Sequence, residues 1–216
     1  MELQYLGHAG FRIAHEGLDI LIDPYLSEDD KRENKPGVDA RMLRPNYILL
    51  THEHFDHCDI QVVKMLARRH SAKVIGPPPV ERKLGFNVVK VRPNNSMKFD
   101  EFNLRVTQAF HHQSEVPLGY ILEIGELRIY HAGDTYYDKS LGKLNTDIAL
   151  LPIGGTYTMN VEEAAKLAAE IRPKIVIPMH FDTFGNIKAD PKNFCKKLEG
   201  VCKCVVLKPG EVMKVE

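Results

Sequence analysis

The sequence predicts an α+β protein in which sheets are covered by helices. Three observations carry that expectation. Short β-prone runs fill the first half of the 216 residues, two stretches have helical periodicity, and no internal repeat or low-complexity tract interrupts the chain. With 44% hydrophobic and 27% charged residues the composition is ordinary for a globular protein. A single domain spanning 1–216 is expected, since a chain of this size buries roughly 70% of its unfolded surface.

The elements follow in order. Leu3 to Leu6, Gly10 to His15 and Leu18 to Ile22 are β-prone and divided by Gly7 and Glu16-Gly17. Ile48 to Leu50 predicts a buried strand. From Ile60 to His70 the apolar residues Ile60, Val63, Leu66 and Ala67 share one helical face. Strands are then expected at Lys73 to Ile75, Asn87 to Val91, Phe102 to Phe110, Gly119 to Ile124, Leu127 to Tyr130 and Ile148 to Leu151. Asn160 with Glu163 three residues on forms a capping-box pattern, Val161, Ala164, Ala165 and Ala168 share a face, and Pro173 ends that helix. Lys174 to Pro178 predicts a strand, Pro191 to Leu198 a short helix, and the tail two strands. Leu26 to Leu43 lacks apolar periodicity and predicts a long surface loop, either a solvated insertion or a lid.

Composition also excludes. Lys plus Arg (29) balances Asp plus Glu (29), so no global field draws the chain to nucleic acid or an anionic membrane. No apolar run approaches the length of a membrane helix and no signal segment follows Met1, so a cytoplasmic protein without membrane contact is expected. Cys58, Cys195, Cys202 and Cys204 lack CxxC spacing and secretory context, which predicts free thiols. The informative number is ten His, because imidazole is the commonest metal ligand.

The strongest local signal is Thr51-His52-Glu53-His54-Phe55-Asp56-His57, directly after the Ile48 to Leu50 strand. A strand end opening into a loop can splay these polar groups around a point, whereas an apolar core would leave three imidazoles and a carboxylate unsatisfied. His52 and His54 can point the same way from an extended segment, while Asp56 and His57 begin a turn and can aim at a second centre. Two adjacent cations need more ligands than these four, since hydrolytic zinc sites use about three protein ligands per ion plus water. Later segments must supply them.

His52 to His57, then Ala109-Phe110-His111, then Tyr130-His131-Ala132-Gly133-Asp134-Thr135, then Ile177-Pro178-Met179-His180 resemble, in that order, the metallo-β-lactamase superfamily. Leu6-Gly7-His8-Ala9-Gly10-Phe11, Leu21-Ile22-Asp23-Pro24, Tyr157-Thr158-Met159 and His180-Phe181-Asp182-Thr183-Phe184 are similar to its compact branch of metal-dependent hydrolases related to the ascorbate-phosphate lactonase. The resemblance runs from about residue 4 to the end. It implies a four-layered αβ/βα sandwich, the metallo-β-lactamase fold. It also implies a first metal on His52, His54 and His111, a second on Asp56, His57 and His180, and Asp134 bridging them. Either His111 or the adjoining His112 can be the ligand of this segment; His111 is preferred because it follows the branch's Ala-x-His pattern, which leaves His112 as a second-layer or substrate contact.

Two divalent cations about 3.5 to 4 Å apart share a water and lower its pKa towards neutrality, so a metal-bridging hydroxide serves as nucleophile. Zinc is the first expectation, although manganese, iron or nickel also suit seven N and O ligands. His54 stands where oxygen-reducing diiron relatives carry Glu, which favours hydrolysis. Asp56, Asp134, His8 and His112 are the candidate catalytic residues. Asp23 is expected to orient ligand histidines. Tyr157, Asp182 and His112 are candidate proton donors, His131 is expected to be structural, and His15 and His70 to lie at the surface. Cys58 is expected to pack in the core.

The expected function is dinuclear hydrolysis of a small ester, lactone or phosphodiester, with other occupants of the same site kept in view. Those are a ligand-binding or sensor module without turnover, a nuclease or RNA-processing phosphodiesterase, and oxygen or nitric oxide chemistry at iron. The chain ends soon after His180, and no basic insertion or added domain serves a large RNA, so a small-molecule substrate is favoured over nucleic acid. Two divalent cations against two ligand carboxylates leave such a site net positive by about two, which admits an anionic substrate. A homo-oligomer is compatible with the sequence.

Overall fold

A computed structural model describes residues 1–215. The chain divides into two compact units. The N-terminal unit comprises Met1–Arg92, Ser114–Val116 and 207–215, and the C-terminal unit comprises Pro93–Gln113 and Pro117–Val206.

The N-terminal unit holds β1 (Glu2–Gly7), β2 (Gly10–His15), β3 (Leu18–Ile22), β4 (Tyr47–Leu49), α1 (Ile60–His70), β5 (Lys73–Gly76), α2 (Pro78–Leu84) and β6 (Val89–Lys90). The C-terminal unit holds β7 (Ser96–Lys98), β8 (Asn103–Gln108), β9 (Leu118–Ile124), β10 (Leu127–His131), β11 (Ile148–Pro152), α3 (Val161–Ile171), β12 (Ile175–Met179), α4 (Pro191–Lys197) and β13 (Lys203–Cys204). The last strand, β14 (Val212–Lys214), returns to the N-terminal unit and pairs antiparallel with β1.

Each unit is built on a seven-stranded mixed sheet. The first runs β14-β1-β2-β3-β4-β5-β6 and the second β13-β12-β11-β10-β9-β8-β7. In the first, β1 and β3 are each antiparallel to β2, and β4 is parallel to β3. The carboxyl ends of β1, β3 and β4 therefore share one rim. In the second, β8 and β10 are each antiparallel to β9, and β11 and β12 continue parallel to β10. Four carboxyl ends, of β8, β10, β11 and β12, meet at one rim there. Such rims are where open sheets leave room for ligands.

The helices follow from local chemistry. Asp59 caps α1 by accepting from the Val62 N–H, and the buried face of Val62, Val63 and Leu66 packs with Leu6, Leu21, Ile48 and Leu50 in one apolar cluster. Asn160 and Glu163 complete the expected capping box at α3, whose face of Ala164, Ala165, Leu167, Ala168 and Ile171 is buried. The segment 26–43 is irregular except for one 3-10 turn at Ala40–Met42.

Four differences from the sequence expectation have physical causes. Pro78 and Pro79 start α2 at positions where a helix needs no N–H donor, and Gly85 closes it with φ 67°. Ser96–Lys98 pairs with β8 although its pattern carries no hydrophobic signal. The strand expected through Phe110 stops at Gln108, which frees Ala109-Phe110-His111 to turn out of the sheet. Finally, Cys195 and Cys204 form a disulfide, with Cα atoms 5.2 Å apart, which corrects the expectation of four free thiols. A turn over Leu198 to Cys202 folds β13 back beside α4, and the sequence spacing does not announce that contact. Cys58 and Cys202 remain thiols.

Candidate functional site

At the rim of the N-terminal sheet, Asp23 follows β3 in the left-handed region with φ 46° and is fully buried. Its carboxylate accepts from the Thr51 N–H at 2.8 Å, the Thr51 hydroxyl at 2.6 Å and His57 Nδ1 at 2.7 Å. Three donors satisfy a charge that would otherwise be costly to bury. They also assign protons. An ionised carboxylate only accepts, so His57 carries its hydrogen on Nδ1 and presents the lone pair of Nε2.

Thr51 extends the same logic. Its single hydroxyl proton goes to Asp23, so towards His52 Nδ1, 3.0 Å away, the oxygen acts as acceptor. His52 thereby also presents a basic Nε2, which lies 3.0 Å from His54 Nδ1. His8 occupies the β1–β2 turn with φ 57°, and its Nε2 is 3.1 Å from Asp56 Oδ2. His8, Asp56 and His57 each place a ligand-type atom within 4.8 Å of the other two. One rim thus gathers His8, Asp23, His52, His54, Asp56 and His57, of which Asp23, His52 and His57 are fully buried.

At the rim of the C-terminal sheet, Gly133 turns the chain after β10 with φ 61° and delivers Asp134. His180 follows β12 with φ 55°, and its Nε2 is 3.2 Å from Asp134 Oδ2. His111 Nε2 is 4.0 Å from the same oxygen. The His111 Nδ1–H donates to the Tyr157 carbonyl at 3.1 Å, and a carbonyl has no proton to give, so Nε2 is again the basic nitrogen. The segments are laced together by Phe110 N–H to Thr135 Oγ1 (3.0 Å), Tyr136 N–H to Phe110 O (2.8 Å) and Met159 N–H to Thr135 O (2.9 Å). Gly154 is required where it stands, because a Cβ there would lie 2.3 Å from the His180 carbonyl oxygen.

The remaining sequence candidates fall elsewhere. His112 is exposed and stacks on Tyr136 with ring centroids 5.6 Å apart. His131 is buried, and its Nδ1 accepts from the Gly133 N–H at 3.1 Å. Asp182 accepts from the Ala189 N–H within its own loop. Tyr157 is exposed, its hydroxyl accepting from the Asn186 amide at 3.3 Å. His15 and His70 end β2 and α1 and are half-buried. Cys58 is fully buried, and burial pushes its thiol up to about 12, so it packs as a neutral group.

Two contributors escaped sequence reading. Thr51 was part of the motif but carried no role, and its only signal is its place between the strand and His52. Asp59 accepts from the Leu26 and Ser27 N–H groups and the Ser27 hydroxyl as well as from α1, pinning the start of the 26–43 loop.

The N-terminal rim therefore offers His52 and His57, and the C-terminal rim His111, each with a basic Nε2 set by the partner at its Nδ1, together with the carboxylates of Asp56 and Asp134. That donor chemistry fits a divalent transition metal.

Residues 2–180 match the family model described as the beta-lactamase superfamily domain. The chain is 39% identical to a UPF0173 metal-dependent hydrolase of Staphylothermus marinus, over 97% of this chain and 96% of that one. It is 36% identical to a UPF0173 metal-dependent hydrolase of an Exiguobacterium species, over 92% and 93%. A solved metallo hydrolase of the hyperthermophilic archaeon Ignicoccus hospitalis is similar with a TM-score of 0.86 and 30% identity, over 100% of this chain and 99% of that one.

Proposed function

The chain belongs to the beta-lactamase superfamily, with its metallo-β-lactamase fold, and is a metal-dependent hydrolase; on that premise we propose that its centre is dinuclear and acts on a small, anionic ester, lactone or phosphodiester. In this reading His52, His54 and His111 hold one cation, Asp56, His57 and His180 hold the other, and Asp134 is shared. Zinc is the favoured ion, and manganese, iron and nickel suit the same donors.

The observation that carries the reading is the fixed tautomer of His52, His57 and His111. Asp23, Thr51 and the Tyr157 carbonyl each take an Nδ1–H, which leaves Nε2 of all three as the basic nitrogen. A histidine kept only for packing needs no such relay, whereas a ligand histidine gains basicity and direction from it. Bound, the cations supply a water-derived nucleophile at neutral pH and draw electron density from the oxygen of the scissile bond. His8, hydrogen bonded to Asp56, orients that carboxylate and is placed to pass a proton along the same contact. His112, exposed on Tyr136, contacts substrate.

The test is to load the protein with zinc or manganese and to screen p-nitrophenyl phosphodiesters, lactones and thioesters. Metal-dependent turnover is expected for at least one class and not for Asp134→Ala. No turnover above that variant on any of them would overturn the reading.

A further inference from the structure

Phe55 sits between His54 and Asp56 yet is 54% exposed, while His52 and His57 are fully buried. Its ring is held edge-on to Tyr25, with centroids 5.8 Å apart. Two cavities are lined by it. One, of 580 Å³, is lined by His54, Phe55, Pro79 and Lys83; the other, of 420 Å³, by Tyr25, Phe55, Cys58 and Lys83. Both are of the size that takes a small organic group, and both share Phe55 and Lys83. Each lies within the N-terminal unit.

The charges lining them are unequal in their engagement. Glu53 accepts from the Ser114 hydroxyl and the Glu115 N–H, Glu115 is paired with Arg82, Asp29 accepts from the Tyr25 hydroxyl, and Asp59 is taken up by α1 and the loop start. Glu28 stands exposed at the outer wall of the second cavity. The half-buried Lys83 ammonium instead donates to the backbone carbonyl of Glu53, a neutral partner. A cation resting on a carbonyl beside an apolar ring is able to take an anion without breaking an existing ion pair.

We propose that the cleft beside Phe55 is a substrate-recognition subsite for a flat apolar, preferably aryl, group bearing an anionic substituent, with the Phe55 ring packing on the apolar part and Lys83 pairing with the anion. The proposal rests on the reading of the adjoining His-rich loop as part of a hydrolytic centre, and it adds the class of substrate.

The experiment is calorimetric titration of the metal-loaded protein with 2-naphthalenesulfonate, a poor metal ligand, and with the neutral methyl 2-naphthyl sulfone. Saturable sulfonate binding is expected, with the sulfone about tenfold weaker. Lys83→Gln should weaken the sulfonate about tenfold and leave the sulfone unchanged, whereas Phe55→Ala should weaken both about tenfold and Phe55→Leu less. Thermal melts of each variant establish that the fold is retained. Equal sulfonate binding by wild type, Lys83→Gln and Phe55→Ala, or no saturable binding by wild type, would overturn the subsite. Metal-dependent hydrolysis of the same p-nitrophenyl phosphodiesters, lactones and thioesters is followed in parallel. Probe binding in the expected pattern without hydrolysis supports the subsite and counts against the hydrolytic reading. Hydrolysis with probe binding indifferent to both residues does the reverse.

Discussion

Replacing Asp23 by Asn tests whether a buried carboxylate sets the chemistry of the N-terminal rim. Asp23 accepts three hydrogen bonds, at 2.6, 2.7 and 2.8 Å, from groups with no exposure to water. An amide keeps one oxygen, so at least one of those donors must face an N–H. The arrangement of least conflict keeps the Thr51 N–H on the oxygen and turns the amide towards Thr51 Oγ1 and His57 Nδ1. His57 then has to accept at Nδ1 and carry its proton on Nε2, the wrong tautomer for a ligand. Loss of such an orienting partner costs about 10- to 100-fold in metal affinity, or about 1.4 to 2.7 kcal/mol. Hydrogen bonds to a charged group contribute about 1.5 to 3 kcal/mol each, so the metal-free variant should lose about 3 kcal/mol of stability. In a chain of this length that corresponds to roughly 6 to 12 °C in Tm. Competitive chelator titration reads the affinity, thermal unfolding reads the stability, and ¹⁵N NMR of the imidazoles reads the tautomer. Nδ1–H on His57 in both proteins, with metal affinity unchanged, would refute the reasoning even if Tm falls.

Two further outcomes are expected. Gly154→Ala places a Cβ 2.3 Å from the backbone oxygen of His180, which has no soft side chain to yield, so unfolding free energy should drop by more than about 2 kcal/mol; an unchanged urea midpoint would show that the turn adapts. Asp147 is buried, which raises its pKa, but hydrogen bonds from Arg128 and Lys174 outweigh burial and hold the carboxyl below its ordinary range. Because the folded value is the lower one, its stabilisation is present above the unfolded value near pH 4 and is lost as pH falls through the folded value. Asp147→Asn should therefore lose about 1 kcal/mol at pH 7, with the difference shrinking as pH falls below the unfolded value, and a constant difference through the acid range in urea unfolding would contradict the assignment.

Much of the fold could be read from local pattern because local forces decide it. The helix Ile60–His70 has the expected bounds, since its apolar face and its Asp59 cap are both consecutive in sequence. The Asn160–Glu163 box is present for the same reason. Where expectation failed, the deciding partner lay elsewhere. Ser96–Lys98 is a strand only because β8 is beside it, and the Cys195–Cys204 bond needs a turn that no spacing rule specifies. The α2 helix carried no expectation at all: its seven residues show too short an apolar pattern, and its prolines occupy the one place in a helix where proline is tolerated.

What the sequence by itself determined is the inventory: which histidines and carboxylates cluster after which strands, and therefore the family and the class of chemistry. These are properties of residue type and order. Which nitrogen of each imidazole is basic was decided only by tertiary structure, because the proton on His57 answers to Asp23, 34 residues away, and the proton on His111 to Tyr157, 46 residues away. A tautomer is set by the partner across a hydrogen bond, and only the folded chain supplies that partner.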